Sequence, residues 1–325
     1  MTQPGFPCTN WVILLPVIRM KTFPQPTRVL VPLLLATALS FVPGRGHAQF
    51  LYIGGQTSGD VGKFDVITGK NASGFPRPQA NYAAGLLVLG NTLYVSNFFD
   101  NRVSTYRADT GAVINSNFIT GVRGASALTL AGNTLYVGAA NDGTVGTYNA
   151  STGAAINANL ISGVLTVSSL LVSGNDLFLG RTQNTTVRKY DAATGALINS
   201  SFITGLGSPR GFALAGDHLF VADNSNGRVG EYSVTSGAAI NVNFINSAVA
   251  PTGIAILDDK LFVNSFSQGK VLEYNATTGS SINPSFITGL FNPVSLAVSA
   301  PAPEPGSTTF TILGGLGLLA GRRRR

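Results

Sequence analysis

The chain has 325 residues, of which 44% are hydrophobic and only 11% charged, with 39 glycines and a single cysteine. That balance excludes a disordered chain, which could not bury enough apolar surface to fold, and a fold stapled by disulfides. The formal charge of +7 ordinarily points toward nucleic acid, but residues 49–300 hold 13 basic and 13 acidic side chains. The excess therefore belongs to the two ends, and nucleic acid is not expected as a partner.

Residues 1–48 read as a targeting segment, to be left out of fold reasoning. Lys21 and Arg28 precede an apolar run from Val29 to Val42; Pro43 and Gly44 break it, and Gly46-His47-Ala48 is a small-x-small cleavage site between Ala48 and Gln49. Met20 stands just ahead of this pattern, so Met1 to Arg19 reads as an over-long start. Removing the segment takes Cys8 and His47 with it and leaves His218 as the one imidazole of the exported body.

From Gln49 onward the chain repeats. A turn glycine falls at Gly69, Gly111, Gly153, Gly195, Gly237 and Gly279, each 42 residues after the last, and an aromatic precedes each one at Phe64, Tyr106, Tyr148, Tyr190, Tyr232 and Tyr274. A period near this length marks a propeller. Each unit contains four short strand-like runs, A to D, which in the second unit are Leu86 to Leu89, Thr92 to Ser96, Val103 to Tyr106 and Val113 to Phe118. The A–B link is a tight polar pair such as Gly90-Asn91 or Gly216-Asp217, suited to a two-residue hairpin. Strand B reads Leu-Tyr-Val or Leu-Phe-Val without alternation, which predicts burial on both sheet faces.

The strand count predicts the topology. Strand A is marked by Leu86, Leu128, Leu170, Phe212, Ile254 and Leu296, and strand B by Leu51, Leu93, Leu135, Leu177, Leu219 and Leu261. The chain thus begins with a B strand and ends with an orphan A strand, Pro293 to Val298. Pairing the two closes an all-β ring of six four-stranded blades over residues 49–300 and removes exposed sheet edges. A linear β-solenoid is the alternative, and it leaves the orphan strand unexplained.

Val221-Ala222-Asp223-Asn224 with Asn226-Gly227-Arg228-Val229 and Tyr232, and its second copy around Val95-Ser96-Asn97 and Asn101-Arg102-Val103, resemble NHL-type propeller repeats. Similar six-bladed folds occur in the virginiamycin B lyase-like and gluconolactonase-like families. That resemblance implies a fold more than an activity. Those enzymes use His or carboxylate clusters, with a divalent metal in the lactonases, whereas this body has His218 and, as ring glutamates, Glu231 and Glu273.

Function is expected on the face where the long B–C and D–A loops meet, because the opposite turns are short and repetitive. The candidate binding face holds Asn97, Phe98, Phe99, Asp223, Asn224, Phe266 and Arg181 from B–C loops, with Arg123, Arg210 and Phe291 from the D–A side. Gln56, Asp100, Asn141, Gln183 and Tyr82 belong to the same rim. Aromatic, amide and Arg groups together suit a polysaccharide or a surface protein, and they are also what a solvated rim contains. No catalytic residue, cofactor or metal ligand is assigned. His218 sits beside Asp217 on the tight-turn face and reads as structural, and the oxygen-rich stretches Asp223 to Gly227 and Asn141 to Gly143 lack the carboxylate spacing of a calcium loop. The recurring Asp/Asn-x-x-Thr-Gly turn reads as self-capping.

Residues 301–325 carry the most specific signal. Pro303-Glu304-Pro305, an uncharged stretch to Gly321 with the apolar run Phe310 to Ala320, and the cluster Arg322, Arg323, Arg324 and Arg325 follow in order. This resembles a PEP-CTERM sorting signal. The resemblance implies export from a Gram-negative bacterium that makes exopolysaccharide, processing by an exosortase, and transient membrane contact through a short C-terminal helix, with the arginines on the cytoplasmic side. The sequence thus predicts a non-catalytic binding or structural propeller at the cell surface, outer membrane or extracellular matrix. A propeller lyase or lactone hydrolase with a site at the channel mouth is the second hypothesis.

Overall fold

The computed structural model describes residues 49–299 apart from 56–58, 74, 76–79 and 183. The targeting segment with Ala48, the tail with Pro303, Glu304, Pro305 and Arg322 to Arg325, and the rim positions Gln56 and Gln183 all lie outside the described residues. Among the described residues there are strands and turns but no helix, hence none long and apolar enough to cross a membrane.

The strands run in blade order. Blade 1 holds β1 (Phe50–Gly55) and β2 (Val61–Asp65). Blade 2 holds β3 (Ala83–Leu89), β4 (Thr92–Asn97), β5 (Arg102–Arg107) and β6 (Val113–Thr120), and blade 3 holds β7 (Ala125–Ala131), β8 (Thr134–Ala139), β9 (Thr144–Asn149) and β10 (Ala155–Ile161). Blade 4 holds β11 (Val167–Ser173), β12 (Asp176–Arg181), β13 (Val187–Asp191) and β14 (Leu197–Ile203). Blade 5 holds β15 (Pro209–Ala215), β16 (His218–Asp223), β17 (Arg228–Ser233) and β18 (Ala239–Ile245). Blade 6 holds β19 (Pro251–Leu257), β20 (Lys260–Ser265), β21 (Lys270–Asn275) and β22 (Ser281–Ile287), and the chain returns as β23 (Pro293–Val298).

Every sheet is an antiparallel meander, and the inner strands touch in a closed circuit: β3, β7, β11, β15, β19, β23 and back to β3. The ring closes as the strand count requires. β23 pairs antiparallel with β1, Leu51 opposite Val298 and Ile53 opposite Leu296. Among the described residues five sheets have four strands and the closing sheet has three, in the order β2-β1-β23, with a single further bridge between Phe64 and Asn71.

Burial explains why these segments form these strands. The B strands β4, β8, β16 and β20 are buried along nearly their whole length, because each lies sandwiched between two neighbouring blades. The core is accordingly a set of wedges between adjacent blades. Leu51, Phe64, Phe262, Val271, Phe286 and Leu296 form the wedge that joins the last blade to the first. The outer D strands are exposed until their last residues, and each skips register near an asparagine. In β6 the Asn115 Oδ1 accepts the Asn117 N–H at 2.9 Å, and Asn157, Asn199, Asn241 and Asn283 do the same in their blades. A bulged, self-bonded edge is a poor template for a further strand.

Two devices fix the angle between blades. The Thr-Gly turn of one blade presses on the outer strand of the blade before it: Gly195, at φ +72°, would drive a Cβ into the Leu160 carbonyl. Gly69 meets Phe286 in the same way and so carries the pattern across the closing seam. Inside, Tyr94 Oη donates 2.7 Å to Ala150 O and Tyr136 Oη donates 3.0 Å to Ala192 O, each reaching the next blade's turn. Later blades have Phe in this slot and lack the hydroxyl bond; the ring pairs within its own blade, Phe220 with Phe244 at 5.0 Å, as Tyr94 also does with Phe118 at 5.7 Å.

Candidate functional site

The loops before the inner strands and those after the B strands meet at one end of the channel. There they enclose a recess of about 580 Å³, within the usual size of small-molecule sites. Its walls are rings of residues 42 apart. The second residue of each inner strand contributes Ala84, Ser126, Ser168, Arg210, Thr252 and Val294. The residue after each B strand contributes Phe98, Ala140, Thr182, Asn224 and Phe266, and Tyr82, Thr166 and Ala250 close the rim.

The rim is held by one repeated bond. The Phe98, Ala140, Thr182, Asn224 and Phe266 N–H groups each donate, at 2.9 to 3.1 Å, to the carbonyl sixteen positions earlier, on Tyr82, Gly124, Thr166, Ser208 and Ala250. Tyr82, Thr166 and Ala250 reach this geometry with positive φ of 66°, 64° and 48°. Such backbone costs about 1–3 kcal/mol per non-glycine residue and persists only where the surroundings impose it.

The inner ring is a chain of latches. Ser126 Oγ donates 2.8 Å to Val167 O, Ser168 Oγ 2.7 Å to Pro209 O, and Thr252 Oγ1 2.8 Å to Pro293 O, in each case the first carbonyl of the next inner strand. Arg210 occupies the same slot but makes no such bond; Asn224 Nδ2 reaches across instead and donates 3.1 Å to Pro251 O. Among the described residues Arg210 has no ion-pair or hydrogen-bond partner, and its Nε is buried without an acceptor. Burial pushes the Tyr82 phenol above its ordinary pKa while the Arg210 charge works the other way. The rings of Tyr82 and Phe98 lie 5.2 Å apart.

Of the residues singled out from the sequence, Phe98, Arg210, Asn224 and Phe266 line the recess, as do Tyr82 and Asn141. Phe99 stays outside it, 58% exposed with its ring against Phe98 at 5.3 Å. Arg123 is exposed and lies 3.6 Å from Asp142, and Arg181 Nε donates 2.8 Å to Leu165 O. Phe291 is exposed beside the seam between the last and first blades. Asn97 and Asp223 are fully buried and cannot belong to an open face. Asn97 Nδ2 donates to Ser104 Oγ at 2.9 Å. Asp223 accepts from Gly207 N–H, Ser208 N–H, Asn226 Nδ2 and Arg228 Nε, and so shapes the loop that leads into Arg210. Sequence reasoning missed Ser126, Ser168 and Thr252 because they sit inside strands, although polar residues at one period within apolar inner strands are a readable signal.

Among the described residues the recess lining contains no Asp, Glu, His or Lys. Asp100 pairs with Arg102 at 2.9 Å and Asp223 with Arg228 at 3.1 Å, so these carboxylates do not converge on the channel. His218 Nδ1 lies 2.6 Å from Glu231 Oε1 on the tight-turn side. Lys260 with Glu273 at 2.6 Å and Asp176 with Lys189 at 2.7 Å occupy the same cross-strand slot in the flanking blades, which marks the imidazole as one of a structural series. Among the described residues no cluster of three or more His, Cys, Asp or Glu side chains is placed to hold a metal ion.

Residues 86–243 match the family model described as outer membrane protein assembly factor BamB. A chain of the crystal structure of a nidogen/laminin complex superposes with a TM-score of 0.65 at 10% identity, over 78% of this chain and 98% of that one. The computationally designed Ika8 protein gives a TM-score of 0.49 at 15% identity, over 79% and 92%. No curated protein matches the sequence. The chain is a six-bladed β-propeller, similar over residues 86–243 to the BamB family model and in its fold to the chain of the nidogen/laminin complex.

Proposed function

We propose that this propeller is a non-catalytic binding module exported to the cell surface or extracellular matrix, sorted and processed by an exosortase through its C-terminal tail. The observation that carries the binding half is the channel mouth: a recess of about 580 Å³ whose described lining combines aromatic, hydroxyl, amide and guanidinium groups. Function on a rigid ring is expected where its longer loops converge. The likeness to BamB, whose family description names an outer membrane assembly factor, and to a propeller solved in a protein complex agrees with a role in binding. The order Pro303-Glu304-Pro305, apolar run, Arg322 to Arg325 supports the sorting half.

The test is retention of the full chain on washed extracellular polymer from a host that makes it. Phe98→Ala with Phe266→Ala is expected to lower retention at least fivefold while leaving the circular dichroism spectrum unchanged; undiminished retention contradicts the site. Mass spectrometry of the exported protein, with and without the sorting peptidase, addresses the tail. An intact Arg322 to Arg325 end in both strains contradicts processing.

A further inference from the structure

We infer that the channel mouth is a carboxylate site in which Arg210 takes the acid group of a uronic-acid unit seated among the aromatic and hydroxyl-bearing residues of the recess. The inference rests on the binding-module reading and names its ligand class.

Arg210 is set apart by its place. Arg102, Arg107, Arg123, Arg228, Lys189 and Lys260 each lie against a carboxylate, Lys63, Arg181 and Lys270 bond to carbonyl or hydroxyl oxygens, and Arg188, whose Nε is also buried and unbonded, does not line the recess. Among the described residues Arg210 is the one cation in the lining of the recess, and that lining holds no anion to neutralise it. A guanidinium partly withdrawn from water, with Nε buried and unbonded, has an unmet demand for an acceptor. Its planar fork matches a carboxylate bidentately.

The fold also releases Arg210 from any structural duty. The equivalent residues Ser126, Ser168 and Thr252 latch one blade to the next, but at this blade Asn224 makes the latch to Pro251 O. The preceding loop is separately fixed by Asp223, which accepts both Gly207 N–H and Ser208 N–H. An arginine positioned by its neighbours yet bonded to none of them is available to a ligand.

The rest of the lining favours a sugar over a peptide. A recess of about 580 Å³ admits one or two saccharide units, whereas a stable protein partner needs roughly 800 Å² of surface from each side. Thr182, Ser267 and Asn141 offer donors and acceptors to ring hydroxyls, and Tyr82, Phe98 and Phe266 offer apolar faces to the C–H side of a pyranose.

Isothermal titration of the full chain with trigalacturonate, its methyl ester, maltotriose and tri-aspartate tests this. Trigalacturonate is expected to bind, with at least tenfold weaker binding of the ester and of maltotriose. Arg210→Gln should cost at least tenfold for the acid and little for the ester, and Arg210→Lys should recover part of the loss. Unchanged thermal midpoints in both variants, which keep every latch bond, separate this from unfolding. Equal affinity for acid and ester, no effect of R210Q, or tri-aspartate binding as tightly as the uronate overturns the inference. If the chain is retained on extracellular polymer through Phe98 and Phe266 but ignores trigalacturonate, the carboxylate assignment fails and the binding reading stands.

Discussion

Ser295 Oγ donates a 2.7 Å hydrogen bond to the carbonyl oxygen of Ala83, a residue 212 positions earlier in the chain. It is one stitch of a seam that includes the β1–β23 ladder, the Thr252 bond to Pro293 O and the wedge of Leu51, Phe286 and Leu296. Together these contacts tie the last strand to the first strand and to the inner strands of the blades on either side, so the closure of the ring depends on that junction.

Substitutions at the seam should therefore act on the whole ring. Leu296→Ala, at a buried position of the closing wedge, is expected to cost about 2–5 kcal/mol. Ser295→Ala should cost about 1–3 kcal/mol, because it leaves the buried Ala83 carbonyl without that donor. Guanidinium denaturation followed at two wavelengths checks both. Coincident, single transitions shifted to lower denaturant fit a closed ring; loss confined to a minor early transition does not.

The tyrosine latches give a cleaner measure of blade-to-blade bonding. Tyr94→Phe removes the 2.7 Å bond to Ala150 O and keeps a ring that Phe178, Phe220 and Phe262 already fill in other blades. The expected loss is about 1–3 kcal/mol in equilibrium unfolding. A loss below a few tenths of a kcal/mol would mean that packing alone sets the blade angle.

The turns carry an acid-sensitive component. Asp191 is held below the ordinary carboxylate pKa by the Thr194 side chain and backbone N–H and then by Ala193 N–H. For Asp65 burial works the other way, yet the Thr68 hydrogen bonds and the Ile67 N–H bring its pKa down as well. A depressed folded-state pKa gives stability that is present above the unfolded carboxylate value and lost as pH falls through the folded one. The thermal midpoint should thus be flat from neutral pH down to about 5 and fall below about 4. Asn149 and Asn275 make the same turn bonds without titrating, so Asp65→Asn with Asp191→Asn should flatten the acid limb. An unchanged acid limb in the double variant contradicts the assignment.

Asp223, a candidate of the loop face in the sequence, and His218, read there as structural on the tight-turn face, should differ in what they contribute. Asp223→Ala strips a fully buried carboxylate from Arg228 and three other donors and is expected to cost about 3–5 kcal/mol. His218→Gln removes the half-exposed imidazole beside a buried Glu231 on the tight-turn side and should cost about 1–2 kcal/mol, with no change in retention on polymer. Thermal melts of both variants, with the retention assay on His218→Gln, decide the matter.

The ring was legible because its period is a property of local chemistry: the Thr-Gly turn, the aromatic before it and the Leu of each B strand recur every 42 residues. The mouth was only half legible. Phe98, Arg210, Asn224 and Phe266 could be assigned to the loop face from their place in the repeat, but a polar loop residue does not announce where its side chain turns. Asp223 and Asn97 turn inward to satisfy neighbouring polar groups, and only the packed loops decide that.

Hydrogen exchange of the full chain, with and without a saturating extracellular polymer that retains it, addresses the central claim directly. The rim amides of Phe98, Thr182, Asn224 and Phe266, whose bonds define the mouth, should gain protection, while the tight turns at Gly90-Asn91, Gly132-Asn133 and Gly174-Asn175 stay unchanged. Protection confined to those turns or to the outer strands β6, β10, β14, β18 and β22 would contradict it.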